Sequence, residues 1–215
     1  MKYRVVIFDL DGTLLYTLDD LWISINHALS FNGFPERSRD EVRRFVGNGL
    51  RKLVSRAVPE GTPDNMQERV FAELKEYYDL HYRDNTRLYD GIIPMLRELK
   101  AAGCKTAVVS NKADRFTKKL SRDFFGELID VTVGEHPGVG KKPSPDMVLS
   151  VLEQLDCTAA EAVYVGDSEV DISTAENSGT DCIIVDWGFR DREMLIESGA
   201  ETVISSPEEL PGLVL

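Results

Sequence analysis

Two carboxylates stand two residues apart in Asp9-Leu10-Asp11-Gly12-Thr13, directly after the apolar run Val5-Val6-Ile7-Phe8. Side chains two apart on an extended segment share a face, so Asp9 and Asp11 can serve one reaction centre. A second acidic group, Gly166-Asp167-Ser168-Glu169-Val170-Asp171, follows the apolar run Ala162 to Val165. These residue types would let Asp167 join Asp9 and Asp11 around one hard cation. Oxygen donors without a His or Cys cluster argue for magnesium rather than zinc. Ser110-Asn111 sets a hydroxyl and an amide after a third run, Lys105 to Val109, and Lys142 lies in Gly140-Lys141-Lys142-Pro143-Ser144-Pro145.

Plainer readings compete for the same residues. Asp11-Gly12 between apolar runs is a hairpin signal. Against it, the residues after Thr13 have helical rather than alternating spacing. An EF-hand loop fails because its required glycine would fall on Leu14. Acidic residues at 167–171 could simply cap a first helical turn, and Ser110 alone would read as a cap. Gly140-Lys141 fails as a nucleotide-binding loop, which needs glycine at 135 and Ser or Thr at 142, where this chain has Glu135 and Lys142. His27, His81 and His136 show no metal-ligand spacing.

The elements that must position these groups are legible as an alternation. Short apolar, β-branched runs recur at Val5 to Phe8, Lys105 to Val109, Ile129 to Val133, Ala162 to Val165 and Cys182 to Val185. Runs of this kind suit strands buried on both faces of a parallel sheet, and helical spacing between them indicates α/β architecture. Asp90 precedes a helical stripe that Gly103 closes. Ser144 and Pro145 read as an N-cap and first helical position, and Ser168 with Asp171 as a capping box before a helix ended by Gly179. From about Tyr16 to Arg87 only helical pattern is found. Leu14, Leu18, Leu21, Trp22, Ile25, Ala28 and Leu29 form one stripe, and Val70, Leu74, Tyr77 and Tyr78 part of another. The expectation is an α/β core interrupted by an all-helical insertion.

Composition narrows the function further. With 215 residues, 42% hydrophobic and 29% charged, the chain suits a folded core rather than a disordered tract. A net charge of −12 has the wrong sign for broad binding to nucleic acid or anionic lipid. Cys104, Cys157 and Cys182 are too few and scattered for a disulfide framework, which suits a reducing cytoplasm. No run is long enough to span a bilayer, and the N-terminal apolar run is broken by Asp9 and Asp11.

In order along the chain, Asp9-x-Asp11-Gly12-Thr13, Ser110-Asn111, Lys142-Pro143 and Gly166-Asp167 through Asp171 resemble the four motifs of the haloacid dehalogenase superfamily. The resemblance covers nearly the whole chain. Within that superfamily the sequence is similar to the phosphoglycolate-phosphatase type, with which Gly47-Asn48-Gly49 and Trp187-Gly188-Phe189-Arg190 are in keeping. It implies a doubly wound, Rossmann-like parallel-sheet core, residues 1–15 and 88–215, with a helical cap at 16–87. It also implies a Mg²⁺-dependent phosphatase acting on a small phosphate ester as a monomer or weak homodimer. Asp9 would be the nucleophile, and Asp11 the acid and then base. Mg²⁺ would sit on the Asp9 and Asp167 carboxylates and the Asp11 backbone carbonyl, with Asp171 holding a metal-bound water or orienting Lys142. Lys142, Ser110 and the amides near Gly12 would meet the phosphoryl charge, and Asn111 and Thr13 would position phosphate or loop. Arg51, after the Gly47-Asn48-Gly49 turn, would meet an acidic group of the substrate, although Arg43, Arg44, Lys52 and Arg56 nearby fit a solvated basic face equally well.

Rival activities of the same superfamily differ at single residues. Sugar phosphomutases of this kind usually carry a histidine where this chain has Leu21, and haloacid dehalogenases lack the second aspartate, here Asp11. Pyrophosphate or a nucleoside monophosphate stands beside phosphoglycolate as a substrate. A non-catalytic phospho-ligand module would call for a disabled site, yet no motif residue is missing. Many relatives have an acidic residue where this chain has Tyr16, a change at the hinge or pocket entrance.

Overall fold

In the computed structural model, which describes residues 2–215, the chain alternates as the apolar runs dictate. In chain order the elements are β1 (Val5–Phe8), β2 (Leu15–Tyr16), α1 (Leu18–Phe31), α2 (Arg39–Phe45), α3 (Leu50–Ala57), α4 (Asp64–His81) and β3 (Arg87–Leu88). They continue with α5 (Ile92–Ala101), β4 (Lys105–Ala113), α6 (Asp114–Phe125), β5 (Val131–Glu135), α7 (Asp146–Gln154), β6 (Ala162–Gly166) and α8 (Glu169–Ser178). The chain ends with β7 (Asp181–Val185), α9 (Arg192–Glu197), β8 (Val203–Ile204) and α10 (Leu210–Val214). It divides into two compact units, Tyr16–Arg87 and the remainder on either side.

The larger unit is built on a six-stranded sheet in the order β5-β4-β1-β6-β7-β8, paired in parallel throughout. Val5, Ile7, Ala107, Val109, Ala162 and Tyr164 point to one face, where Met147, Val148, Val151 and Leu152 of α7 and Ala175 of α8 cover them. Val6, Phe8, Val108, Val163 and Val165, of opposite parity, are as deeply buried. Both faces are therefore covered, which is why these strands read as unbroken apolar runs. The fold is the doubly wound α/β sheet expected. The order reverses on either side of β1, and such a switch point opens a crevice beyond the strands' carboxyl ends.

Several boundaries differ from expectation for identifiable reasons. Strand β4 runs on through polar Ser110, Asn111 and Lys112, which hydropathy alone reads as a loop. Strand β5 starts two residues late, because Asp130 instead fixes the turn: its amide donates to Thr106 O at 2.9 Å and its carboxylate accepts from Thr106 N at 2.9 Å. Helix α7 has Pro145 rather than Ser144 at its N-cap, since a Ser144 N–H to Lys141 O bond closes a turn there. Leu14 lies outside α1, in a turn whose amide donates to Leu10 O. The hairpin is absent: β1 pairs only in parallel, with β4 and β6. Gly103 terminates α5 in the left-handed conformation, with Gly103 N donating to Lys100 O and Cys104 N to Leu99 O, a Schellman motif.

The smaller unit packs α1 against α4 through the expected stripes, with Ile25, Leu29, Val70, Leu74 and Tyr78 fully buried. The chain enters and leaves it through β2 and β3, which pair as a two-stranded sheet. Buried Asp20 secures the exit by accepting from Asn85 N (2.8 Å), Asn85 Nδ2 (3.0 Å) and the Thr86 hydroxyl (2.7 Å). At the entry the Tyr16 hydroxyl donates to Asp19 at 3.0 Å and accepts from Arg39, while the Arg87 guanidinium lies 3.9 Å over its ring. Two histidines have carboxylate partners, His27 with Glu73 and His81 with Asp84, and both stack on Tyr77. Among the described residues no helix is long and apolar enough to cross a membrane.

Replacing Asp20 by Ala strands a buried hydroxyl and an amide at the exit of the helical unit. We expect equilibrium urea unfolding to show a loss of about 3 kcal/mol, against about 1 kcal/mol or less for an exposed change such as Asp40→Ala.

Candidate active site

Parallel register brings the site together. Phe8 pairs with Val108 on one side and Val165 on the other, so the residues that follow each strand emerge at one level. Asp9 and Asp167 directly follow β1 and β6, Ser110 lies within β4 one residue beyond Val109, and Asp9 N donates to Val165 O at 2.8 Å. One carboxylate oxygen from each of Asp9, Asp167 and Asp171 lies within 4.8 Å of the others, and all three residues are buried.

A single ammonium faces them. Lys142 Nζ stands 2.8 Å from Asp9 Oδ1 and 2.8 Å from Asp171 Oδ1, and donates to the Tyr164 hydroxyl at 3.0 Å. Burial would lower the lysine, yet Asp171 and Asp9 outweigh it and keep the ammonium protonated well above its ordinary range. The carboxylates are not so balanced. Burial pushes Asp9 up to about 7, Lys142 opposing and Asp171 adding to it. Asp167 rises well above its usual range through burial first, then Asp171 and Asp9. Asp9 Oδ1 has no hydrogen bond despite its ion pair.

That imbalance is what a divalent cation would relieve, and the surroundings fit one. The donors are all oxygen, as hard cations require. Gly12, at φ +89°, leaves room where a Cβ would fall 2.3 Å from Asp167 Oδ2, and a Cβ on Gly188 would lie 2.4 Å from Asp167 and 2.6 Å from Gly12 O. Phe189 N donates to Asp167 Oδ2 at 2.7 Å, fixing that carboxylate. Asp171 is oriented by the capping box at the start of α8, its Oδ2 accepting from Ser168 N and Oγ, which leaves Oδ1 for Lys142.

The other sequence candidates are placed as follows. Ser110 is buried, its hydroxyl accepting from Lys112 N at 3.2 Å, and Asn111 Nδ2 holds Lys142 O at 3.0 Å. Thr13 Oγ1 is buried without a hydrogen-bond partner, and its carbonyl accepts from Trp187 Nε1 at 3.0 Å. The Asp11 carboxylate pairs with Lys112 Nζ, at 3.0 and 3.2 Å, and the buried acidic trio is Asp9, Asp167 and Asp171. The two aspartates of the first motif thus share a strand end without sharing an ammonium. Arg51 belongs to the helical unit, where its guanidinium lies 4.0 Å over the Phe71 ring and pairs with Glu68. Burial holds Cys104 up to about 11 and Cys182 up to about 12, so neither supplies a thiolate.

Three parts of the site carried no role in the sequence. Lys112 reads like any lysine, Tyr164 like core, and Trp187-Gly188-Phe189-Arg190 carries a family likeness but no role at the site. The loop's work is to seat Asp167 and Thr13, and Arg190 braces it by pairing with Glu169 at 2.9 Å. A Gly-aromatic step after an apolar strand was the available signal.

Comparison with known proteins decides the family. Residues 6–185 match the haloacid dehalogenase-like hydrolase model. The chain belongs to that family. It is 33% identical over 191 residues to the phosphoglycolate phosphatase of Aquifex aeolicus, covering 86% of each chain. To that of Vibrio parahaemolyticus it is 31% identical, covering 96% of this chain and 94% of the other. A crystal structure from Lactobacillus delbrueckii subsp. bulgaricus, provisionally assigned as a phosphoglycolate phosphatase, superposes with a TM-score of 0.96 at 33% identity over 100% and 99% of the two chains. The chain is therefore an enzyme, a phosphatase-type hydrolase similar to this group.

Because Gly188 abuts both Asp167 and the Gly12 carbonyl, Gly188→Ala must displace the loop or the carboxylate. The expected cost is about 2 kcal/mol, measured by denaturant unfolding.

Proposed function

We propose that the protein is a Mg²⁺-dependent phosphatase that hydrolyses a small acidic phosphate monoester such as phosphoglycolate through an aspartyl-phosphate on Asp9. The observation that carries this reading is the Asp9 carboxylate held between Lys142 and two further buried carboxylates, with the Asp11 carboxylate paired to Lys112. Phosphoryl transfer asks chiefly for positioning and charge neutralisation, which is what such an arrangement offers. The names of the relatives support the substrate class.

Asp9, Asp167 and the Asp11 carbonyl would hold the cation, with Asp171 as an outer support. Bound there, Mg²⁺ would neutralise the phosphoryl oxygens and let an anionic nucleophile approach an anionic ester. A carboxylate oxygen of Asp9 attacks phosphorus as the ester oxygen departs with a proton from Asp11. Asp11, now a carboxylate, takes a proton from the water that attacks the aspartyl-phosphate, and phosphate and Asp9 are released. Lys142 offsets the charge passing through Asp9, while Ser110 and the amides around Gly12 donate to the phosphoryl oxygens. Asn111 keeps Lys142 in register through its carbonyl, and Thr13 Oγ1 is available to phosphate or loop.

The same reading makes 1–15 and 88–215 the catalytic core and 16–87 its cap, with the two strands β2 and β3 as hinges. Arg51 on the cap would meet the substrate's acidic group. The unpaired thiols suit a reducing cytoplasm.

Asp9→Asn keeps the shape of the side chain while removing the nucleophile. Hydrolysis of phosphoglycolate and of p-nitrophenyl phosphate should fall by at least about 1,000-fold with the circular dichroism spectrum unchanged; retained turnover would end the covalent mechanism. Dialysis against EDTA should likewise abolish activity, and Mg²⁺ should restore it more fully than Ca²⁺, whose looser coordination suits the site less well. Activity unaffected by the chelator would exclude the metal.

A further inference from the structure

The turn Gly47-Asn48-Gly49, which joins α2 to α3, takes no part in the chemistry above. An asparagine before a glycine can react with its own backbone, because the glycine nitrogen lies within reach of the amide carbon and no side chain shields it. The chain has two such steps, Asn32-Gly33 and Asn48-Gly49.

The structure treats the two differently. Asn32 closes α1: its Nδ2 donates to Ala28 O at 2.9 Å, and Gly33 N donates to Ser30 O at 3.1 Å. Both reacting groups are engaged there, and the turn must open before they can meet. At the second step Gly49 precedes α3, and its N–H donates to none of the described residues. Asn48, half-buried, accepts at Oδ1 from Arg56 Nη2 at 2.9 Å, while Arg56 Nη1 donates to Phe45 O at 2.6 Å. The guanidinium is thus fixed across the turn, one nitrogen on the backbone that enters it and the other on the amide. A cationic donor on a carbonyl oxygen draws electrons from its carbon and stabilises the oxyanion formed when a nucleophile adds there. The surroundings favour the same charge, since residues 37–56 carry seven Lys or Arg against two Asp or Glu in a chain of net charge −12.

We propose that Asn48 is a site of self-modification, at which Gly49 N closes a succinimide on the side chain and water opens it to aspartate and isoaspartate. Gly49 N loses its proton to solvent base and bonds to Asn48 Cγ. The Cγ–Nδ2 bond breaks, and its electron pair leaves on nitrogen, which takes up a proton as ammonia. Water then adds to one of the two imide carbonyls and breaks that carbon's bond to the ring nitrogen, which recovers a proton or its main-chain N–H. Opening at Cγ gives aspartate; opening at the main-chain carbonyl gives isoaspartate, with the chain rerouted through the side chain. Water is the only co-reactant. When the ring opens at Cγ, Arg56 acquires a carboxylate partner in place of an amide.

The test ages purified full-length protein in mildly alkaline buffer, folded and in guanidinium chloride, and follows both asparagines by peptide mass spectrometry. In the folded protein, acid at position 48 should accumulate about 10-fold faster or more than at position 32, because one hydrogen bond to be broken first is worth roughly that factor. Hydroxylamine, which traps the imide, should cut the aged chain between Asn48 and Gly49, and isoaspartyl methyltransferase should label residue 48. In guanidinium chloride the two rates should become alike. Arg56→Met, with a circular dichroism spectrum like that of wild type, should slow conversion at 48 by about 10-fold. Equal rates at the two sites in the folded wild type, the same bias in denaturant, or undiminished conversion in folded Arg56→Met would each overturn the assignment. The comparison of folded and unfolded wild type decides it even where the variant does not fold.

Discussion

Three carboxylates are buried around one lysine at the mouth of the central strands, and the rest of the molecule is arranged so that they can stay there. Like charges at this separation repel strongly once water is excluded. Lys142 offsets part of that repulsion, and what remains is seen in the raised Asp9 and Asp167. The repulsion left over is one that a bound cation would offset.

The scaffold resists that repulsion with rigid parts. Asp9 is fixed by β1, which both neighbours pair along its length. Asp171 is fixed by the first turn of α8, and Asp167 by the amide of Phe189 and the absence of side chains at Gly12 and Gly188. Each is anchored through the backbone, so the cluster does not depend on flexible surface contacts. Such preorganisation removes the reorganisation cost at the moment of reaction.

Much of this was legible in the residues. The apolar runs gave the sheet because strands covered on both faces cannot hide their composition, and three of the four polar motifs stood out because each directly follows such a run. What escaped reading did so for physical reasons. The polar end of β4 looked like loop because hydropathy does not register a strand that carries functional groups. The partner of Asp11 was invisible because a slip in the pairing of β4 with β5, not spacing, aims Lys112. Asp171 read first as a cap, and it is one; the same carboxylate does both jobs with its two oxygens. Arg51 shows the reverse limit, since a lone arginine among others on a short helix carries no signal of what it meets.

Asp20 spans 65 and 66 positions of sequence to hold Asn85 and Thr86, so the excursion Tyr16–Arg87 begins and finishes in one place. To the parallel sheet, an insertion sewn shut at its neck is equivalent to a tight loop, and the entropy of closing so long a segment is borne inside the insertion itself. The helices within can therefore be exchanged, lengthened or recoloured without disturbing strand register or the acidic trio.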